Sequence, residues 1–248
     1  MHGGIVSTNP IWAKTPFSYG SHVEAFTKHF RVIAPDTRGA GRTVNPSGGP
    51  ASFAQLVDDV MALSEALGLD RPAICGFSEG GITATIAGIR YPERVRAIVN
   101  DAGYDMFNPA APTFTIMRQI LGGSPTATQA DPVAFENGFH SSEQMRGVLE
   151  MLKLDHEAAQ GAGYLTSYIS DTFDRITQSP GFTFEDFARI TAPMLILVGD
   201  RDDFCSPEEG VVAYRTLQSG ELAILPGTGH VTTPQKVQIA IDFLRRHA

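Results

Sequence analysis

The stretch most suggestive of chemistry is Ala73-Ile74-Cys75-Gly76-Phe77-Ser78-Glu79-Gly80-Gly81, an apolar strand-like run that passes through G-x-S-x-G into a helical pattern beginning at Ile82. A turn this tight brings strand and helix too close for side chains at Gly76 and Gly80, and it holds the middle residue in a strained conformation. Ser78 is thereby pushed out at the edge of a sheet, where a nucleophile is needed. A serine hydroxyl attacks only when a base takes its proton, and the base needs an acid to hold its tautomer. Of the seven histidines, His230 stands in the glycine-rich loop Pro226-Gly227-Thr228-Gly229-His230, between a short apolar run and the terminal helix. His29 and His247 fall at helix ends or in the tail, and His140 and His156 within a helical stretch. For the acid, the run 194–198 delivers Gly199-Asp200-Arg201-Asp202-Asp203. Of Asp200, Asp202 and Asp203 only one can serve. A calcium loop is disfavoured there, because Arg201 interrupts the carboxylates and no further oxygen ligands follow at regular spacing.

These residues need elements to carry them. Apolar runs of strand length at 30–35, 73–77, 95–100, 194–198 and 222–225 alternate with helix-period segments, which predicts an α/β protein with a largely parallel sheet. Ser52 and Gln55 form a capping-box pair, Phe53, Leu56, Val57, Val60, Leu63 and Leu67 trace one apolar face, and Gly68 ends that helix. A second capping box, Ser206 with Glu209, and Pro207 at the first helical position mark another start. From about 103 to 189 the alternation stops; helix-like segments at 113–121, 142–154 and 165–176 read as an insertion, rich enough in Met, Phe and Tyr to line a pocket beneath it.

The chain has 248 residues, 42% hydrophobic and 19% charged, which fits a globular domain with a sizeable core. Its net charge of -8 opposes the contacts that nucleic acids and anionic membranes require. No apolar run reaches the length of a bilayer span and Met1-His2-Gly3-Gly4 does not begin a secretory signal, so a soluble, cytoplasmic protein is expected. Cys75 and Cys205 make no disulfide framework and no metal spacing.

Taken in order, these motifs resemble the α/β-hydrolase superfamily. His2-Gly3-Gly4 is similar to its oxyanion-loop HG motif, Asp36-Thr37-Arg38-Gly39-Ala40-Gly41 to its D-x-R-G-x-G turn, Gly76 to Gly80 to its nucleophile elbow, Gly199-x-x-Asp202 to its acid loop, and Gly229-His230 to its histidine loop. The order Ser, Asp, His is also that of these hydrolases. The resemblance spans nearly the whole chain and implies a single domain over 1–248, with a helical cap at about 104–185. It selects Asp202, three residues after the glycine, and leaves Asp200 and Asp203 as loop or helix-start carboxylates. It implies that Ser78 attacks an acyl carbonyl, that His230 carries the proton, and that two N–H groups hold the oxyanion, one from Glu79 and one from Gly4 or Ile5, Gly4 being preferred. It calls for no metal and no organic cofactor. Serine at the elbow excludes the aspartate-dependent haloalkane dehalogenase and epoxide hydrolase branches.

Two features depart from the family pattern. The strand that should feed the oxyanion loop, between 30–35 and 73–77, is missing, which suggests a shortened form with a poorly fixed oxyanion loop. Glu79 adds a carboxylate where negative charge develops; at about 6 Å this costs on the order of 1 to 3 kcal/mol, so the side chain should face solvent or a cation. Gly76-Phe77-Ser78-Glu79-Gly80-Gly81-Ile82-Thr83 resembles the elbow of valacyclovir hydrolase and its biphenyl-hydrolase-like relatives, which implies a role for Glu79 towards a substrate ammonium group. Trp12 and Phe77 are further candidates for substrate contact. The expected activity is hydrolysis of small carboxylic esters or lactones. Perhydrolase or haloperoxidase chemistry and amide or carbon–carbon hydrolysis stay open on the same residues, as does a non-catalytic ligand receptor of this fold. The expected partner is a small ester-like molecule, and a homodimer stays open.

Overall fold

The computed structural model describes residues 1–7 and 22–248. Its frame is a four-stranded, wholly parallel sheet in the order β1 (Ile74–Phe77), β2 (Ile98–Asp101), β3 (Met194–Gly199) and β4 (Gly220–Leu225). Register pairs Phe77 with Asp101, Asp101 with Leu197, and Gly199 with Leu225, so the strands end together. β2 and β3 are buried along their whole length, which accounts for their unbroken apolar reading. The α/β class and parallel sheet expected from the alternation of runs are what the chain forms.

Helices α1 (Val23–Thr27) and α2 (Phe53–Ala66) precede the sheet; α3 (Glu79–Arg90) packs on β1 and β2, α8 (Pro207–Thr216) on β3 and β4, and α9 (Pro234–His247) closes the chain against β3. The Ser52–Gln55 capping box is complete in both directions. At α8 only half of the expected box forms: Ser206 Oγ accepts from Glu209 N–H, while the Glu209 carboxylate is drawn away to Asn108. Between β2 and β3 lie α4 (Thr113–Gly122), α5 (Pro132–Gly138), α6 (Glu143–Gln160) and α7 (Tyr164–Ile176), packed on one another around Leu121, Phe135, Leu152 and Phe173.

One expected strand is absent. Residues 30–35 are without regular structure, since an apolar run becomes a strand only when a neighbour completes its ladder. On that flank β1 is met by Met1 alone among the described residues: its amine donates to Cys75 O at 2.5 Å and its carbonyl accepts from Phe77 N–H at 3.3 Å, the pattern of a parallel pair. Between 30–35 and β1 runs an apolar cleft of about 830 Å³, lined by Phe30, Val32, Ala34, Ala73, Ile74 and Cys75. Ser78, Asp202 and His230 do not line it.

Candidate active site

The turn from β1 into α3 has the geometry the glycines require. A Cβ on Gly76 would lie 2.0 Å from Gly80 O, inside any permitted contact. Ser78 has φ 53° and ψ -123°, a conformation rarely tolerated by a side-chain-bearing residue. It is over-determined from both sides: Ser78 N–H donates to Asp101 O at 2.8 Å, and its carbonyl accepts from Gly81 and Ile82 at 2.8 and 3.1 Å. Buried Asn100 fixes the neighbouring bend, donating to Thr85 Oγ1 at 2.8 Å and to Gly103 O at 3.1 Å while accepting Gly103 N–H at 2.8 Å. Asn100 reads in the sequence only as a polar end to a strand.

The acid and histidine loops meet at the ends of β3 and β4. Gly199 lets them approach, for its Cβ would stand 1.9 Å from Thr228 O. Asp200 ties the loops by accepting Thr228 N–H at 3.2 Å, and Arg201 N–H reaches Thr228 O at 3.0 Å. Asp202, with no exposed side-chain surface, takes His230 Nδ1–H on Oδ1 and Oδ2 at 3.0 and 2.9 Å. Burial pushes its carboxyl up, but His230 and the N–H groups of Cys205 and Phe204, each 2.9 Å from Oδ1, outweigh that and hold it below the usual carboxylate range. A carboxylate so held fixes the tautomer that leaves Nε2 free to accept. The His230 ring is clasped between Phe77 and Phe204, with centroids 4.7 and 4.6 Å away. Phe77, a candidate for substrate contact, is only 2% exposed and packs against the His230 ring.

A second group of acids lies behind this one. Cys205, whose N–H serves Asp202, donates its thiol to Asp105 Oδ1 at 3.0 Å, and burial pushes the Asp105 carboxyl up. Lys236 and Asp101, both without exposed side-chain surface, pair at 2.6 Å with the Lys236 ammonium 6.0 Å from the centre of the Phe77 ring.

Of the two situations expected for Glu79, solvent or a cation, it takes the second. It is buried, and its carboxylate is bonded by the Arg175 guanidinium from α7, which also donates to Ala51 O at 3.1 Å. The side chains of this pair are 3% and 6% exposed, so Glu79 has its cation from within the chain. Gly4 lies directly against it: a Cβ there would be 3.1 Å from Glu79 Oε2. The two residues expected to supply oxyanion N–H groups are thus adjacent. Trp12 lies outside the described residues. No group of three or more metal-binding side chains occurs among the described residues, and no helix among them is long and apolar enough to cross a membrane.

A protein-family profile described as alpha/beta hydrolase fold matches residues 2–236. The chain is 40% identical over 236 residues to a 2-hydroxy-6-oxo-2,4-heptadienoate hydrolase of Pseudomonas putida, covering 88% of this chain and 79% of that one. It is 27% identical over 225 residues to 3-oxoadipate enol-lactonase 2 of Acinetobacter baylyi, covering 89% and 80%. The mouse serine hydrolase BPHL matches at 24% over 82% of this chain and 64% of its own length. The chain spans less than two thirds of some curated relatives, BPHL among them. In structure, a meta-cleavage product hydrolase of Pseudomonas fluorescens superposes with a TM-score of 0.73 at 22% identity, covering 99% of this chain and 88% of that one.

Proposed function

Because the chain belongs to the α/β-hydrolase family, we propose that it hydrolyses small carboxylic esters or lactones through an acyl-enzyme on Ser78. The observation that carries this reading is the His230–Asp202 pair beyond the ends of β3 and β4, together with Ser78 held at φ 53° at the end of the parallel strand β1. Asp202 keeps His230 Nδ1 protonated, so Nε2 takes the Ser78 proton as Oγ adds to the carbonyl. The Gly4 and Glu79 N–H groups receive the oxyanion. His230 then protonates the leaving alkoxide and afterwards deprotonates the water that releases the acyl group. Helices α4–α7 act as the cap that bounds the acyl pocket. The likeness to an enol-lactonase supports the ester or lactone class.

A second reading has one specific support, the 40% identity to a hydrolase of an oxo-dienoate. That compound, by its name, carries a ketone and a carboxylate and no ester, so water can divide it only at a carbon–carbon bond. One panel separates the two: p-nitrophenyl esters of graded acyl length against a vinylogous dienoate ketone. The ester reading expects repeated ester turnover that vanishes in Ser78→Ala. Turnover of the dienoate alone moves the assignment to carbon–carbon cleavage, and a single burst per protein molecule moves it to a ligand receptor.

A further inference from the structure

The loop at residues 1–7 carries Gly4, yet little of its anchorage comes from the sheet. Its described bonds to β1 are the two made by Met1. The rest run to a turn and to the helical insertion. His2 accepts Thr37 N–H on Nε2 at 3.0 Å and donates from Nδ1 to Gly3 O at 2.7 Å. Tyr168 Oη on α7 donates to Gly4 O at 2.9 Å. His156 on α6 donates from Nε2 to Ile5 O at 3.2 Å and accepts Gly41 N–H on Nδ1 at 3.0 Å. Its ring packs at a 33° tilt against that of Tyr168 with centroids 4.4 Å apart, and it has no exposed surface. One imidazole thus spans two loops that no strand joins.

We propose that His156 is a positioning residue of this hydrolase, a neutral imidazole that clamps loop 1–7 to the turn at 36–41 and, through Tyr168, sets where the Gly4 N–H lies. This deepens the reading of Gly4 as an oxyanion donor and rests on it. The two bonds fix the tautomer, because Nδ1 must lack a proton to accept from Gly41. An imidazolium has no acceptor, so protonation turns the Gly41 bond into two donors facing each other and opens the clamp. The groups facing the ring are Asp155 and Glu157 from α6, Tyr168 from α7, and Asp36 and His2 from the loops, Asp36 being itself paired to Arg42 at 3.2 Å. The nearby carboxylates favour the charged ring, but burial dominates and lowers the His156 pKa below its ordinary value. Seating of the cap and alignment of the oxyanion donor are then one equilibrium.

Steady-state kinetics on a p-nitrophenyl ester with the 248-residue protein tests this, using His156→Ala, His156→Gln and Tyr168→Phe at a temperature where circular dichroism shows each variant folded. A displaced oxyanion donor lowers kcat by about tenfold or more with KM within about twofold. Tyr168→Phe, which loses only the hydroxyl, is expected to show several-fold of the same loss. His156→Gln can both accept and donate, so it is expected to recover most of kcat and to lose the steeper acid limb that a second proton gives the parent profile. Folded variants with parental kcat and an unchanged acid limb overturn the proposal; if His156→Ala does not fold, the Gln and Phe variants decide it by the same criteria. Ser78→Ala in the same assay separates the two levels. Activity surviving in Ser78→Ala ends the ester hydrolase reading, whereas activity lost there but parental in the clamp variants ends this proposal alone.

Discussion

Replacing Arg175 with Gln leaves Glu79 as a buried carboxylate without its cation, beside Gly4 and the place proposed for the oxyanion. Both side chains are nearly inaccessible, at 3% and 6% exposure, so water cannot take over the guanidinium's part. Removing one partner of a pair at this depth destabilises by about 3 to 5 kcal/mol. In a chain of 248 residues that lowers Tm by about 6 to 20 °C. The kinetic effect follows from Coulomb's law: an uncompensated charge about 6 Å from the oxyanion, at an effective dielectric of about 20, opposes it by about 3 kcal/mol, roughly a hundredfold in kcat. Glu79→Gln in the Arg175→Gln background removes the orphaned charge and is expected to restore most of both losses, since the coupling of the two side chains is what each single change destroys. The assay is a double-mutant cycle read twice, by thermal unfolding and by kcat on a p-nitrophenyl ester well below every Tm. Single variants with parental Tm and kcat, or losses that simply add in the double variant, would refute the claim that Arg175 neutralises Glu79.

Three shorter predictions follow from the same structure. Burial depresses the pKa of His2 to about 4 in the folded chain, against an ordinary 6.5. The unfolded chain then binds more protons between those values, and stability falls as pH drops: about 2 kcal/mol is gone by pH 5 relative to pH 8, and His156 adds to it in the same direction. Asp202, held low, contributes its own loss only as pH falls below the ordinary carboxylate range, and Asp105, held high, works the other way. Urea midpoints that are flat from pH 7 to 5, or unaltered in their pH dependence by His2→Asn, would contradict this. Lys236→Met takes the ammonium away from buried Asp101 and should lower stability by about 3 to 5 kcal/mol, with Asp101→Asn added to it recovering much of the loss; unchanged denaturant midpoints count against the pair. An extended apolar segment fused before Met1 should lie along β1 in the cleft of about 830 Å³ and raise Tm by about 5 °C or more, whereas a lower Tm or a new oligomer in light scattering would show that the cleft is not shaped for a strand.

What the residues reveal by themselves divides along the range of the interactions. Gly76, Ser78 and Gly80 are legible because their spacing encodes a local backbone problem, and Gly199 and Gly229 mark loops whose close approach is equally local in its demands. Between β2 and β3, α4, α6 and α7 can be read from their periodicity, whereas α5, at seven residues, is too short to show one. Residues 30–35 mislead because strand formation depends on a neighbour, and apolarity alone does not say whether one is present. The packing of Phe77 is not legible either: in the sequence it is only an aromatic before Ser78, while the fold sets its ring against that of His230. The cation for Glu79 lies 96 residues downstream and the imidazole that seats Gly41 lies 115 away, each in a helix whose pattern shows only an apolar face with a polar residue on it. Partners of that kind have no periodicity or motif, so only the fold brings them into view. The thiol bond from Cys205 to Asp105 belongs to the same class.

The central claim is that Ser78 takes the acyl group. Rapid mixing with a p-nitrophenyl ester, acid quenching within the first turnover and intact-protein mass spectrometry measure it directly, before water releases the acyl group. The account predicts a mass increase of one acyl group, mapped by peptide sequencing to Ser78 and absent from Ser78→Ala. An acyl group found on another residue, or steady turnover with no adduct and undiminished in Ser78→Ala, would contradict it.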